Sequence, residues 1–259
     1  MAEPVPPGAE RDPHFIGWLP MPRAYARFLV PVAAGLVVAA AVTAALIARG
    51  QRSPGDGRWA DEQANTLVGI VYAEPYAMIR VPGTEPGDPP VTILLVEEGK
   101  FGAKARVRPF DGQSVQVTGT LLSREGIRML ELVAGEDGLR RPTGSAVDLR
   151  RPAPQQRGRV TLRGEIVDSK CYLGAMKPGG GRTHKGCATL CLKGGVPPLF
   201  VARGAGGELG HYLLTDAAGG PLDQATFDLV GEQLECDGEL EVWGDFPMLK
   251  AASTSFRRR

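Results

Sequence analysis

Two ten-residue stretches of this chain, GQSVQVTGTL (112–121) and GEQLECDGEL (231–240), repeat one pattern at an offset of 119. In the first, Val115, Val117, Gly119 and Leu121 alternate with polar residues. In the second, Leu234, Cys236, Gly238, Leu240 and Val242 do the same. A period of two is the signature of a half-buried strand, since a helix would group its apolar residues three and four apart. The glycine inside each stretch marks where such a strand coils or bulges, as a small barrel requires. Two further landmarks keep the same order. Thr66-Leu67-Val68-Gly69 matches Thr161-Leu162-Arg163-Gly164 at an offset of 95, and Pro89-Pro90-Val91-Thr92-Ile93 resembles Pro197-Pro198-Leu199-Phe200-Val201 at 108. Rising offsets predict one fold used twice, with the second copy longer by 13 residues, 108 less 95, between those landmarks.

Composition agrees with strands. Glycine (35) and proline (22) are abundant and aromatic residues make up only 6%, which favours short strands and many turns. Each copy holds about five short strands, and LDQATFDLVG (222–231) reads as a short helix before the Cys236 strand, a pattern that resembles an OB-like barrel. The expected fold class is all-β: tandem OB-like small β-barrels, at 60–137 and 160–255, preceded by a single transmembrane helix. Between them, residues 138–159 hold three prolines and six arginines without periodicity, which predicts an extended, solvated linker.

Phe28 to Ala48 is a run of 21 residues without a charge. At about 1.5 Å per residue it spans the roughly 30 Å hydrocarbon layer. It is longer than a secretory apolar segment, and Leu46 spoils the small-residue pattern needed for cleavage after Ala48, so an uncleaved anchor is expected behind a tail of residues 1–27. Arg23 and Arg27 on one side nearly balance Arg49, Arg52 and Arg58 on the other. A short tail and a long domain after one anchor is the usual layout of a bacterial inner-membrane protein with its C-terminal domains in the periplasm. The expected partners are therefore inner-membrane lipid and a membrane or periplasmic protein. With a net charge of +1 and few aromatic residues, the chain has neither the basic groove nor the stacking platform of a nucleic-acid binder.

The chemistry concentrates in CYLGAMKPGGGRTHKGCATLC (171–191), which holds three of the four cysteines and one of the three histidines. The first copy has no cysteine, so a barrel of this kind does not need the segment in order to fold. Cys236 falls opposite Val117 in the repeat and reads as a core residue, since a free cysteine packs as a small hydrophobe. KPGGGRT is a turn. THKGCATLCLKGG reads as a helix that opens near Thr183 and stops before Gly194-Gly195. At about 100° per residue, His184, Cys187 and Cys191 share one helical face, looking back at Cys171 on a strand end. Cys171, His184, Cys187 and Cys191 would make a Cys3His set for zinc or copper, with the nearby carboxylate Asp168 behind it. The competing reading is a disulfide from Cys171 to Cys187 or Cys191, which leaves His184 unused. No C-x-x-C or C-x-x-C-H is present, and a Rieske cluster would need a second histidine. Cys187 with His184 as a nucleophile pair lacks a third orienting group, so an enzyme, a thiol oxidoreductase in particular, is the weaker expectation.

From GEIVDSKC through H-x2-C-x3-C and a glycine turn, the second domain resembles a family of small exported bacterial domains. Its residues Asp168, Ser169, Cys171, His184, Cys187, Cys191, Gly194-Gly195 and the Leu234–Gly238 strand carry the match, over about residues 160–250. The resemblance implies an OB-like barrel, export and the grouping of the four Cys/His side chains. It implies no reaction. The glycine loop is longer here than that family's usual spacing. The expected role is a membrane-tethered binding or accessory module of a redox or metal-handling system, against a disulfide-fixed interaction module.

Overall fold

The computed structural model describes residues 23–50, 57–204, 206 and 208–259. The expected N-terminal tail therefore lies mostly outside the described residues. Two compact units divide the chain, Met1–Ser53 and Pro54–Arg259. In the first, helix α1 (Arg23–Gly50) contains the apolar run. Its large side chains, such as Leu36 and Val37, are about two-thirds exposed, and among the described residues it is the one helix long and apolar enough to cross a membrane.

The second unit is built on two closed five-stranded barrels. The first comprises β1 (Arg58–Tyr72), β2 (Met78–Val81), β3 (Val91–Val96), β4 (Ser114–Arg124) and β5 (Ile127–Leu132), with a short helix α2 (Lys104–Val107) between β3 and β4 and an added edge strand β6 (Leu139–Arg140). The strands lie in the order β1-β2-β3-β5-β4, and β1 pairing with β4 closes the ring. The second barrel repeats this with β7 (Pro154–Asp168), β8 (Pro198–Arg203), β9 (Leu209–Thr215), β10 (Leu234–Trp243), β11 (Phe246–Lys250) and the edge strand β12 (Phe256–Arg258). Each ring has one parallel contact, β3 with β5 and β9 with β11, among antiparallel ones. The helix expected at 222–231 is a 3-10 turn, Gln224–Leu229, whose capping Asp223 accepts a hydrogen bond from the Ala225 amide.

The register confirms the repeat and moves its insertion. Gly69 stands opposite Val115, and Gly164 opposite Leu234, so the first landmark and the last are equivalent pairs at 95 and 119. The proline landmark does not hold. Val91–Ile93 opens β3, the third strand, whereas Pro198–Val201 opens β8, the second strand of its barrel. Arg80 pairs with Ile70 between the first two strands of the first barrel as Val201 pairs with Glu165 in the second, an offset of 121. The extra length is therefore 121 less 95, or 26 residues, all between the first and second strands. Proline opens an edge or strand start wherever no ladder donor is needed, so the matched dipeptides reflect that shared chemistry rather than shared position.

The coiling glycines behave as the alternation implies. A Cβ on Gly119 would lie 2.0 Å from the Glu131 carbonyl oxygen, and one on the equivalent Gly238 2.8 Å from that of Lys250. Backbone presses on backbone where each barrel's fourth strand crosses its fifth.

Each barrel has its own core, the first around Ile79, Leu95, Leu130 and Leu132, the second around Ile166, Phe200, Leu214 and Cys236. A third cluster joins them, with Tyr72, Met78, Leu94 and Met129 of the first barrel packed with Val167, Leu199, Trp243 and Met248 of the second. Polar contacts cross the same seam. Tyr76 donates its hydroxyl hydrogen to the Leu214 carbonyl and accepts from the Leu222 amide, while Asp245 accepts from the Thr92 amide at 2.9 Å and from its hydroxyl. The connector is largely exposed, as its composition predicts, yet it touches both barrels. Its ends join the β6 and β7 strands, Leu149 packs on the shared cluster, and the Arg151 guanidinium lies 5.1 Å from the Tyr72 ring centre. Arginine stems and planar heads cover aromatic surface well, so a basic run can line a seam.

Candidate metal centre

The inserted segment, residues 169–197, is fastened at every residue of its opening Asp168-Ser169-Lys170-Cys171. Asp168, fully buried at the end of β7, accepts from the Cys171 amide at 2.8 Å through Oδ1 and faces His184 Nε2 at 3.1 Å through Oδ2. A buried carboxylate needs such partners, because desolvation without them is costly. The Ser169 hydroxyl donates to the Pro197 carbonyl at 2.6 Å, tying the start of the insertion to its end. Lys170 crosses to the first barrel, donating to the Glu97 and Gly99 carbonyls at 3.0 and 2.6 Å and pairing with Glu131 at 2.5 Å. Cys171 then opens a π-turn, Cys171–Ala175, that carries its thiol inward.

The expected helix forms as α3 (Lys185–Lys193), preceded by a 3-10 turn at Arg182–His184 and ended at Gly194. Cys187 and Cys191 sit one helical turn apart. Their sulfurs and that of Cys171 all lie within 4.8 Å of one another, with Cys171 and Cys187 at 3.9 Å. Asp168, Cys171 and His184 form a second such group, so the two share Cys171. The four expected residues thus meet as three thiols with a histidine attached through Cys171, rather than as one helical face. The cause is local. His184 caps the helix from a tighter turn, where the 100° step does not apply. All four cysteines are free thiols. Cys236 is fully buried in the second core, and burial pushes its thiol up to about 12.

Sequence reasoning missed the cation at this site. Lys100, from the loop after β3 in the first barrel, places Nζ 2.7 Å from Cys187 Sγ and 3.7 Å from Cys191 Sγ. The loop has no room to wander, since the Gly102 amide donates to the Gly194 carbonyl at 2.9 Å and Lys170 holds the Glu97 and Gly99 carbonyls. Nothing in EEGKFG marks Lys100, because its role arises only when the two barrels dock. Charge follows geometry. A hydrogen bond from Cys171, with help from Lys100, lowers the Cys191 thiol, while the same bond, burial and Asp168 hold Cys171 far above the ordinary thiol range. Of that pair, Cys191 is the easier thiol to ionise and Cys171 the harder. The hydrogen bond to Cys187 raises Lys100 in turn. On the outer side, Met176 Sδ stands 3.6 Å from Cys187 Sγ.

Three thiols within ligand reach of one another, beside a buried His/Asp pair, can hold a metal ion. No protein-family model matches this chain, and no curated protein or solved structure is significantly similar to it.

Proposed function

We propose that this protein is a membrane-anchored metal-binding module of a redox or metal-handling system, single-pass in a bacterial inner membrane with its two OB-like barrels in the periplasm. The observation that carries the reading is the cluster of Cys171, Cys187 and Cys191 sulfurs under the Lys100 ammonium. Three thiolates in so small a volume repel one another, and a bound cation with a lysine beside it offsets that charge. A donor set of three thiolates, with the Met176 thioether at its edge, suits copper(I). Zinc would take His184 as its fourth ligand. With Nε2 on Asp168, Nδ1 is the nitrogen left for the metal, the usual carboxylate–histidine arrangement. The strand order, the parallel third and fifth strands and the helical segment between the third and fourth support the OB-like reading of each barrel. The partner this reading implies is another membrane or periplasmic protein, and nucleic acid has no place in it.

The 3.9 Å separation of Cys171 and Cys187 favours a second reading, a disulfide that pins the insertion. One experiment separates them. Full-length protein in detergent, reduced and metal-free, is titrated anaerobically with copper(I) and with zinc, and bound metal is counted per chain. The metal reading expects one ion per chain, lost in Cys191→Ser, with His184→Ala affecting zinc more than copper. Three titratable thiols in the cluster with no stoichiometric metal would overturn it, and two fewer thiols after air oxidation would support the disulfide.

A further inference from the structure

The hydrogen bond between Lys100 and Cys187 is unusually short for a nitrogen and a sulfur. N–H···O bonds span about 2.7–3.2 Å, and the larger radius of sulfur lengthens an N–H···S contact beyond that. Lys100 Nζ and Cys187 Sγ are 2.7 Å apart, while Nζ and Cys191 Sγ, at 3.7 Å, keep an ordinary hydrogen-bonding distance. A separation below contact yet longer than a direct bond is that of two atoms each singly bonded to one light atom between them. For an amine and a thiol meeting in the presence of dioxygen, that atom is oxygen. We propose that Lys100 and Cys187 form a covalent Nζ–O–Sγ bridge, a redox-controlled cross-link between the two barrels.

The surroundings fit such a modification. Cys187 is partly exposed while Cys171 and Cys191 are buried, so dioxygen reaches Cys187 first. Lys100 is held to it through the backbone, by the Gly102–Gly194 hydrogen bond and by the Lys170 contacts to the same loop. The lysine therefore approaches as a fixed group rather than as a mobile surface chain, which removes the entropic obstacle to a bimolecular coupling. Starting from thiolate and ammonium, the reaction is Cys–S⁻ + Lys–NH3⁺ + O2 → Cys–S–O–NH–Lys + H2O. Two N–H bonds and the O–O bond break, S–O and O–N bonds form, and the two hydrogens and the nitrogen's extra proton divide between the remaining N–H and water. Sulfur and nitrogen each give up two electrons, and dioxygen takes all four. Reversal takes four electrons: a thiol reductant attacks sulfur and breaks S–O, leaving a hydroxylamine on Lys100, and further reductant resolves the Cys187 mixed disulfide and breaks N–O, so that two dithiols in all become two disulfides and the bridging oxygen leaves as water. The bridge does not depend on metal binding, although it withdraws one of the three thiolates from the proposed metal set.

The test uses the full chain in detergent, metal-free, in air-saturated buffer, followed by proteolysis and mass spectrometry with and without dithiothreitol. The expected product is one peptide bearing Lys100 joined to one bearing Cys187, with a net gain of about 14 Da over the two free peptides. The joined pair should vanish on reduction and be missing from Lys100→Arg and Cys187→Ser. Finding both peptides unlinked, or Cys187 oxidised to a disulfide or sulfinic acid beside an unmodified Lys100, would overturn the bridge. Because the decisive measurement is on the unsubstituted chain, a misfolded variant does not rescue the idea. The anaerobic metal titration stands apart, so either proposal can fail alone.

Discussion

The two barrels share strand order, the parallel pair and register, yet they spend chain length differently. The first passes from β1 to β2 through residues 73–77, and the second from β7 to β8 through residues 169–197. The short connection delivers Ala73 and Ala77 to its own core and Tyr76 to the seam. The long one delivers two residues to its own core, Ala188 and Leu192, with three thiols, Lys170 and the His184 that meets Asp168 at the end of β7. The first barrel answers with the loop that holds Lys100. One topology used twice with unequal loops thus yields a site with thiols from one barrel and the cation from the other.

The comparison breaks most sharply at the seam. A Cβ on Gly194 would lie 1.8 Å from the Lys100 carbonyl oxygen, and one on Gly102 2.0 Å from that of Gly195. Backbone meets backbone there in both directions, so nothing flexible can yield. Gly194→Ala should therefore cost about 3 kcal/mol, the upper end of what single substitutions do, and should split one urea transition into two as the barrels uncouple. A single unshifted transition would mean that the seam tolerates a methyl group and that Lys100 is not held as described.

A second substitution asks whether the insertion is an addition or a part of the barrel that carries it. The first barrel closes without any counterpart of α3. In the second, Leu192 is 5% exposed and packs in the core with Ile166 and Phe200. Leu192→Ala should cost about 2–3 kcal/mol in equilibrium unfolding, from lost transfer energy and the cavity left behind. A loss near zero would show that the second barrel still folds as the first does, with its insertion merely laid on top.

How far this asymmetry is legible in the sequence depends on its physical origin. Alternation in GQSVQVTGTL and GEQLECDGEL reveals the paired fourth strands, because a half-buried strand imposes a period of two on its own residues. Cys236 separates from the other cysteines for the same reason, and in the structure it pairs with Leu162 and Phe256. The grouping of Cys171, Cys187 and Cys191 is legible from helical spacing and a strand end. His184 is only half legible, since the spacing rule fails where the helix tightens into a 3-10 turn. The proline landmarks mislead because strand starts favour proline in any position of a sheet. Lys100 and the buried Lys170–Glu131 pair leave no local trace, as both exist only because two separately patterned barrels dock.

The smallest expected effect sharpens the comparison at the barrels' outer edges. Gln116 pairs with Arg140 at the β4–β6 edge, and Glu235 pairs with Arg257 at the equivalent β10–β12 edge. The first is a neutral amide with its oxygen turned to a guanidinium. The second is a carboxylate among Arg259, Arg163 and Arg257, in that order of effect, which hold it at about 2 rather than its ordinary 4.5. A folded-state value below the unfolded one means that the carboxylate's contribution is complete above about 4.5 and lost as pH falls through about 2. The pair is solvent-exposed, so salt weakens it. Amide exchange on β12 should therefore speed up, relative to β6, across that acid window and in high salt. Glu235→Gln should abolish the difference, because it gives the second edge the first edge's amide. Gln116→Glu should create the same acid dependence at β6. Equal acid responses of β6 and β12 in the unsubstituted chain would show that the arginines around Glu235 do not hold its carboxylate.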